Sequence, residues 1–367
     1  MRRARPVTIL ATGTYLPGEP IENQELEKLC GPLPADVLEG LQIKRRHWLV
    51  DPASGEHTTS NSKMAEAAAR NALGRAGLEP DEVDLIVLST ASPEYHLPTS
   101  ASYVQEHLGL EQCAVVEIRA GCVGAVQALD IARRQVADGT CKTALVIGSE
   151  AISPLLAPMY LGLEPHEVRM RDRLNLYNFG DGAGAVVLRA GTGDLGIQVT
   201  ANYAHVNACL GGRRKPGMQV IGGGTDMPYA KQVRRKRLMD IRLDAAGVAK
   251  FGPQVFVTAL QDLLRRADLR LADVGACVLP EGNAEYFSSE LEAAGMSREE
   301  YDQVQGKIVE NLADVGATGS PAVLLALDAG VNDGRIRPYD TVLLLAIEAS
   351  RYTYAGLSLQ WGAPMVA

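Results

Sequence analysis

The stretch 71–95, NALGRAGLEPDEVDLIVLSTASPEY, aligns without gaps on 262–286, DLLRRADLRLADVGACVLPEGNAEY, at a constant offset of 191 residues. Two further pairs follow in the same order at an offset of 198: CVGAVQALD (122–130) on SPAVLLALD (320–328), and TALVIGSEA (143–151) on TVLLLAIEA (341–349). Short apolar matches arise by chance, but shared order and near-constant spacing point to one αβ unit used twice. Strand-like runs such as VDLIVLSTA (83–91) alternate with helical segments such as SKMAEAAARNALGRAG (62–77) and PTSASYVQEHLG (98–109), the pattern of an α/β protein. If the two units pack about a pseudo-two-fold axis, the helix starts at Cys122 and Ser320 face each other. The strand ends at Thr90 and Glu281 then reach equivalent places near the same centre, and the Gly-rich turn NLADVGATGS (311–320) feeds the second helix.

Cys122 lies at the hinge of VVEIRAGCVGAVQALDIARRQVADGT (115–140), where a strand-like run gives way to helical spacing at Val126, Leu129, Ile131 and Val136. A thiol at a helix N-terminus feels the positive end of unpaired backbone N–H groups, which favours the thiolate and hence nucleophilic attack. Ala120, Gly121 and Gly124 leave room for a substrate carbonyl beside it. The competing reading is a cysteine buried as a small hydrophobe.

The rest of the composition removes classes rather than adding them. A net charge of −8 argues against a nucleic-acid scaffold, and no apolar run reaches the roughly 18 residues of a membrane span. The start MRRARPVTILATGTYLP is expected to be a first strand and turn, not a signal peptide. Six cysteines without paired spacing indicate neither a disulfide framework nor a zinc site, so a reducing, cytoplasmic setting is expected.

Several pieces together resemble the thiolase-fold condensing enzymes of the β-ketoacyl-acyl-carrier-protein synthase III family: ATGTYLP (11–17), QIKRRHW (42–48), the Cys122 turn, ALVIGSE (144–150), NFGDGAGAVVL (178–188), and LPEGN (279–283) running through GATGSPAVLLALD to the C-terminal strand. The resemblance implies a duplicated five-layer αβαβα thiolase fold and a homodimer. It also implies two halves, 1–190 carrying the nucleophile and 191–367 carrying Glu281 and the 311–320 turn. Cys122 matches the nucleophile that takes an acyl group from a thioester. No permanently bound cofactor or metal is implied. The donor is acyl-coenzyme A or the phosphopantetheine arm of an acyl carrier protein.

The departures carry the functional expectation. The family's histidine position is Glu281, after Pro280. Its asparagine is Ala317, in Gly316-Ala317-Thr318, and its glycine-rich oxyanion turn reads Glu348-Ala349-Ser350-Arg351. Decarboxylative condensation builds an enolate that the family stabilises with two side-chain donors. An ionised Glu281 has no proton to give and Ala317 has no donor. A carboxylate there is suited instead to take a proton from a hydroxyl, amine or thiol acceptor.

The expected chemistry is therefore acyl transfer onto a small-molecule acceptor, of the kind found in secondary-metabolite pathways such as antibiotic biosynthesis. Cys122 is the nucleophile, Glu281 the base, and the backbone N–H groups of Cys122 and Ser350 the oxyanion site. Asp314 either orients the acceptor or caps its own turn. Condensation with Glu281 or Glu348 as base, and a non-catalytic partner subunit, are the alternatives. On the donor side the resemblance places Arg173 near a coenzyme A adenine, with Asn283 and Asn311 as further donor-binding positions. The usual stacking tryptophan is missing around Asp36 and a nearby arginine falls on Gly40, which keeps the carrier protein in play. The run Lys231–Arg237 either docks that carrier or is a solvated face. Gly222-Gly223-Gly224 is read as part of a surface loop with some acceptor specificity.

Overall fold

The computed structural model describes residues 5–191, 197–198, 215–280, 291–292 and 294–362. Ten strands form one hydrogen-bonded series: Ile308–Val309, Ala276–Val278, Thr341–Glu348, Thr353–Gln360, Ile197–Gln198, Val7–Tyr15, Gly182–Ala190, Thr143–Glu150, Leu85–Ser89 and Ala114–Ile118. The series is palindromic under the sequence repeat. Leu85–Ser89 runs parallel to both Ala114–Ile118 and Thr143–Glu150, as Ala276–Val278 does to Ile308–Val309 and Thr341–Glu348. Thr143–Glu150 and Thr341–Glu348 then each pair antiparallel with the last strand of their own half. The halves are linked by Ile197–Gln198, which pairs with Thr8 and Ile9 on one side and with Gln360 on the other.

Alternation along these strands builds the layers. Leu85, Val87, Ala144 and Val146 of the first half share one core with Val342, Leu344, Leu357 and Leu359 of the second. The helices Gly124–Asp138 and Ala322–Asn332 lie in that same core, so they form the middle layer. The intervening residues Ile86, Leu88, Leu145 and Ile147 turn outward onto the helices Asn61–Ala76 and Ser100–Leu108. Their counterparts Leu343, Leu345 and Ile347 turn onto Ala245–Ala267 and Arg298–Gln305. Leu85–Ser89, Thr143–Glu150 and Thr341–Glu348 are covered on both faces, which explains why they read as unbroken apolar runs rather than alternating ones. The result is the duplicated five-layer αβαβα arrangement expected of a thiolase fold.

The middle helix Ala322–Asn332 is apolar nearly all round for the same reason. Val323, Leu324, Leu325 and Leu327 are each 3% exposed or less, and burying a side chain of this size stabilises by about 1.5–3 kcal/mol. Local signals set the outer helices: Ser60 accepts the Lys63 N–H at the start of Asn61–Ala76, and Gly77 closes it in the left-handed region. No described helix is long and apolar enough to cross a membrane.

Candidate active site

The strand Ala114–Ile118 ends one turn before Cys122, and a 3-10 turn over Gly121–Val123 leads into the helix Gly124–Asp138. Gly121 holds a φ of +59°, and a Cβ there would meet Oε2 of Glu348 at 1.9 Å. Glycine is thus required twice over, by the left-handed backbone and by the carboxylate pressed against it. Cys122 is half-buried, and its neighbours Ala120, Gly121 and Val123 line a cleft of about 1210 Å³. Arg119, Glu348, Ser350 and Arg351 line the same cleft.

The Cys122 N–H donates to Glu348 Oε2 at 2.6 Å and the Ser350 N–H donates to Glu348 Oε1 at 2.7 Å. The two N–H groups expected to hold an oxyanion are therefore both taken up by one carboxylate of the chain itself, one by each oxygen. This placement differs from the role of alternative base that the sequence suggests for Glu348. The signal was present in the repeat, which sets Glu348 on Glu150 at an offset of 198.

Glu150 does the corresponding thing in the other half. Its Oε2 accepts the Ser320 N–H at 3.3 Å, while Oε1 accepts from Thr90 Oγ1, the Ala91 N–H and Ser92 Oγ at 3.0, 2.8 and 2.5 Å. Burial raises the Glu150 carboxyl above the usual range, outweighing those four donors. Ser320 is also joined to the Cys122 turn, donating its Oγ–H to the Gly121 carbonyl at 3.0 Å. Each half thus sends the glutamate at the end of one strand into the helix start of the other.

The remaining expected residues are dispersed. Asp314 is exposed in the short turn Leu312–Val315 and pairs with Arg45 at 2.9 Å; it is not among the residues lining the cleft. Asn311 begins that turn, with its Oδ1 buried and lacking a hydrogen-bond partner among the described residues. Arg173 donates to the carbonyls of Val168, Pro32 and Pro165 and so ties three segments together; it too lies apart from the cleft lining. Glu281 and Asn283 lie outside the described residues. Ala317 donates its N–H to the Asn178 carbonyl at 2.8 Å.

The basic run does not present all its charges outward. The Arg237 side chain is buried and donates to both carboxylate oxygens of Asp172, at 3.0 and 2.9 Å. Gly222, Gly223 and Gly224 line the cleft and are fixed by Gln232, whose Oε1 accepts the Gly223 N–H and whose Nε2 donates to the Gly224 carbonyl.

In four of the other cysteines burial disfavours the thiolate. Burial pushes the thiols of Cys30 and Cys277 up to about 12, and those of Cys113 and Cys141 to about 11. Among the described residues no group of three or more His, Cys, Asp or Glu side chains is placed to hold a metal ion.

Comparison with known proteins agrees with this architecture. The family model for 3-oxoacyl-[acyl-carrier-protein] synthase III matches residues 116–205, and the model for its C-terminal part matches 264–361. A β-ketoacyl-[acyl-carrier-protein] synthase III from Rhodospirillum centenum is 33% identical over 362 residues, covering 98% of each chain. One from Clostridium perfringens is 27% identical over 358 residues, with the same coverage. Among solved structures, AbyA1, a tetronic acid condensing enzyme, superposes with a TM-score of 0.78 at 26% identity, covering 96% of this chain and 99% of its own.

Proposed function

We propose that this chain, which belongs to the 3-oxoacyl-[acyl-carrier-protein] synthase III family, is an acyltransferase that delivers its acyl group to a hydroxyl, amine or thiol rather than to a carbanion. In the first half-reaction Cys122 Sγ attacks the thioester carbonyl carbon. A carbon–sulfur bond to Cys122 forms, the bond to the carrier thiol breaks, and that thiol leaves carrying a proton. In the second, the acceptor heteroatom attacks the acyl carbon, Glu281 takes the acceptor's proton, and the Cys122 thiolate departs.

The observation that supports transfer over condensation is at Ala317. Its methyl side chain offers no donor, and its backbone N–H is taken up by the Asn178 carbonyl. With glutamate at position 281, neither of the two positions from which the family stabilises an enolate carries the family's donor. The donor is acyl-coenzyme A or an acyl carrier protein, on the strength of the relatives' names. A homodimer in a cytoplasmic secondary-metabolite pathway completes the reading.

Glu281→Gln tests it by separating the half-reactions. The acyl adduct on Cys122 should still form, transfer should fall by on the order of 10² to 10⁴, and acyl-enzyme should accumulate. A variant that fails to load but transfers normally once loaded assigns Glu281 to donor entry and overturns its role as base.

One observation favours a second reading. AbyA1 is named a condensing enzyme and is 26% identical along nearly the whole chain. In that case Glu281 or Glu348 deprotonates a thioester α-carbon, and carbon–carbon products appear.

A further inference from the structure

We propose that Glu348 is a displaceable internal occupant of the Cys122 and Ser350 N–H pair, holding the acyl-binding position closed until a donor carbonyl takes its place. The inference rests on the proposed function only in taking that pair to be where the thioester oxygen sits.

One carboxylate spans the two donors that an oxyanion would use. Each N–H of the pair reaches a different oxygen of one carboxylate, at 2.6 and 2.7 Å, distances typical of charge-assisted hydrogen bonds. A thioester oxygen cannot accept the same two protons while the carboxylate does. A negative charge left beside a developing oxyanion would also oppose it. Glu348 must therefore leave before Cys122 can be acylated with help from this pair.

The structure contains its own control for how firmly such a glutamate is held. Glu150 has four donors, two of them hydroxyls, and is fully enclosed. Glu348 has only the two backbone donors among the described residues, about half of what a carboxylate can accept, and it borders the cleft. Both are buried, at 3% and 4% exposed, so the difference lies in the donors and the adjoining cleft: the four-donor copy is a fixture and the two-donor copy can be exchanged. Arg119 lines the same cleft, is exposed, and has no hydrogen bond or ion pair among the described residues. It is the cation that receives the carboxylate when it swings out.

The test follows Cys122 acylation by intact-protein mass, with S-hexanoyl-N-acetylcysteamine as the donor probe, in wild type, Glu348→Gly and Glu348→Gln. Emptying the pair should speed acylation by about tenfold or more in Glu348→Gly. Glu348→Gln, which keeps the shape but not the charge, should fall between it and wild type and carries the comparison if glycine unsettles the strand end.

Sodium acetate should then act as a replacement occupant. It should slow acylation of Cys122, and its labelling by iodoacetamide, in Glu348→Gly but not in wild type. Arg119→Gln should slow acylation severalfold in wild type and leave Glu348→Gly unaffected. Unchanged or slower acylation in both Glu348 variants, or acetate acting alike on variant and wild type, overturns the proposal. If no protein acylates but acetate still protects Cys122 from iodoacetamide in Glu348→Gly alone, the displaceable carboxylate stands and the acyl-enzyme reading falls.

Discussion

At Ser320 the second half begins its central helix as the first half does at Cys122. In both, a left-handed glycine precedes the key residue, and a glutamate from the opposite half accepts its N–H. The surroundings differ. The Ser320 copy is sealed, with its side chain 0% exposed and its glutamate held by four donors. The Cys122 copy opens on the cleft and its glutamate has two. One turn is thus a sealed structural joint while its twin faces the cleft, and what separates them is the number of donors and access to solvent rather than backbone geometry.

This difference should be measurable as stability. Glu150→Ala leaves Ser320, Ala91, Thr90 and Ser92 without their acceptor in a sealed site. The expected loss is about 3–5 kcal/mol, from several unsatisfied groups at roughly 1–3 kcal/mol each without full additivity. Glu348→Ala exposes only two N–H groups to a cleft that water can enter, so it should cost about 1 kcal/mol or less. Urea unfolding of both variants checks the pair, and equal losses would erase the distinction between joint and site.

Reactivity should separate Cys122 next from the thiols that burial disfavours as thiolates. Cys30, Cys113, Cys141 and Cys277, raised to about 11–12 by burial, should alkylate at least ~100-fold more slowly with iodoacetamide at pH 7 than Cys122. Peptide mapping of a labelling time course reads this directly.

A smaller effect sharpens the comparison at the glycines. Both sit at positive φ, so Gly121→Ala and Gly319→Ala each carry a backbone cost of about 1–2 kcal/mol. Only at Gly121 does the new methyl overlap the carboxylate outright, at 1.9 Å against 3.0 Å for Glu150 at Gly319. Gly121→Ala should therefore also expel Glu348 and reproduce part of the faster acylation expected of Glu348→Gly, whereas Gly319→Ala should not.

The smallest expected effect is one of pH. Burial raises the folded-state pKa of Glu150 above its ordinary value. A carboxyl shifted this way binds its proton more tightly when folded. Its stabilising contribution is present below the unfolded value of about 4.3 and is lost as the pH rises through the folded one. The stability of wild type relative to Glu150→Gln should accordingly decline from about pH 4 upward. A difference that grew with pH would mean that the four donors outweigh burial.

Much of the fold could be read from the chain because duplication leaves its mark in spacing. The offsets of 191 and 198 residues place Leu85–Ser89 on Ala276–Val278 and Thr143–Glu150 on Thr341–Glu348, and two-sided burial turns each of these strands into an apolar run. The Cys122 turn was legible for the same reason, since strand, small residues and helix follow one another locally. Asp314 and Arg173 were not, because their surroundings are set by partners distant in sequence: Arg45 takes the first, and the Pro32 and Pro165 carbonyls the second. The sequence offers Glu348 only as an alternative base, because its contact with the Cys122 N–H appears only when the halves pack and bring it to a residue 226 positions away.

Acyl transfer without decarboxylation is tested most directly by loading Cys122 with an acyl thioester, confirming the adduct by intact mass, and offering malonyl thioester alongside hydroxyl, amine and thiol acceptors. The adduct should discharge onto a heteroatom acceptor with little release of carbon dioxide. Robust release of carbon dioxide with a new carbon–carbon bond, abolished by Cys122→Ala, would contradict it and make this chain a condensing enzyme.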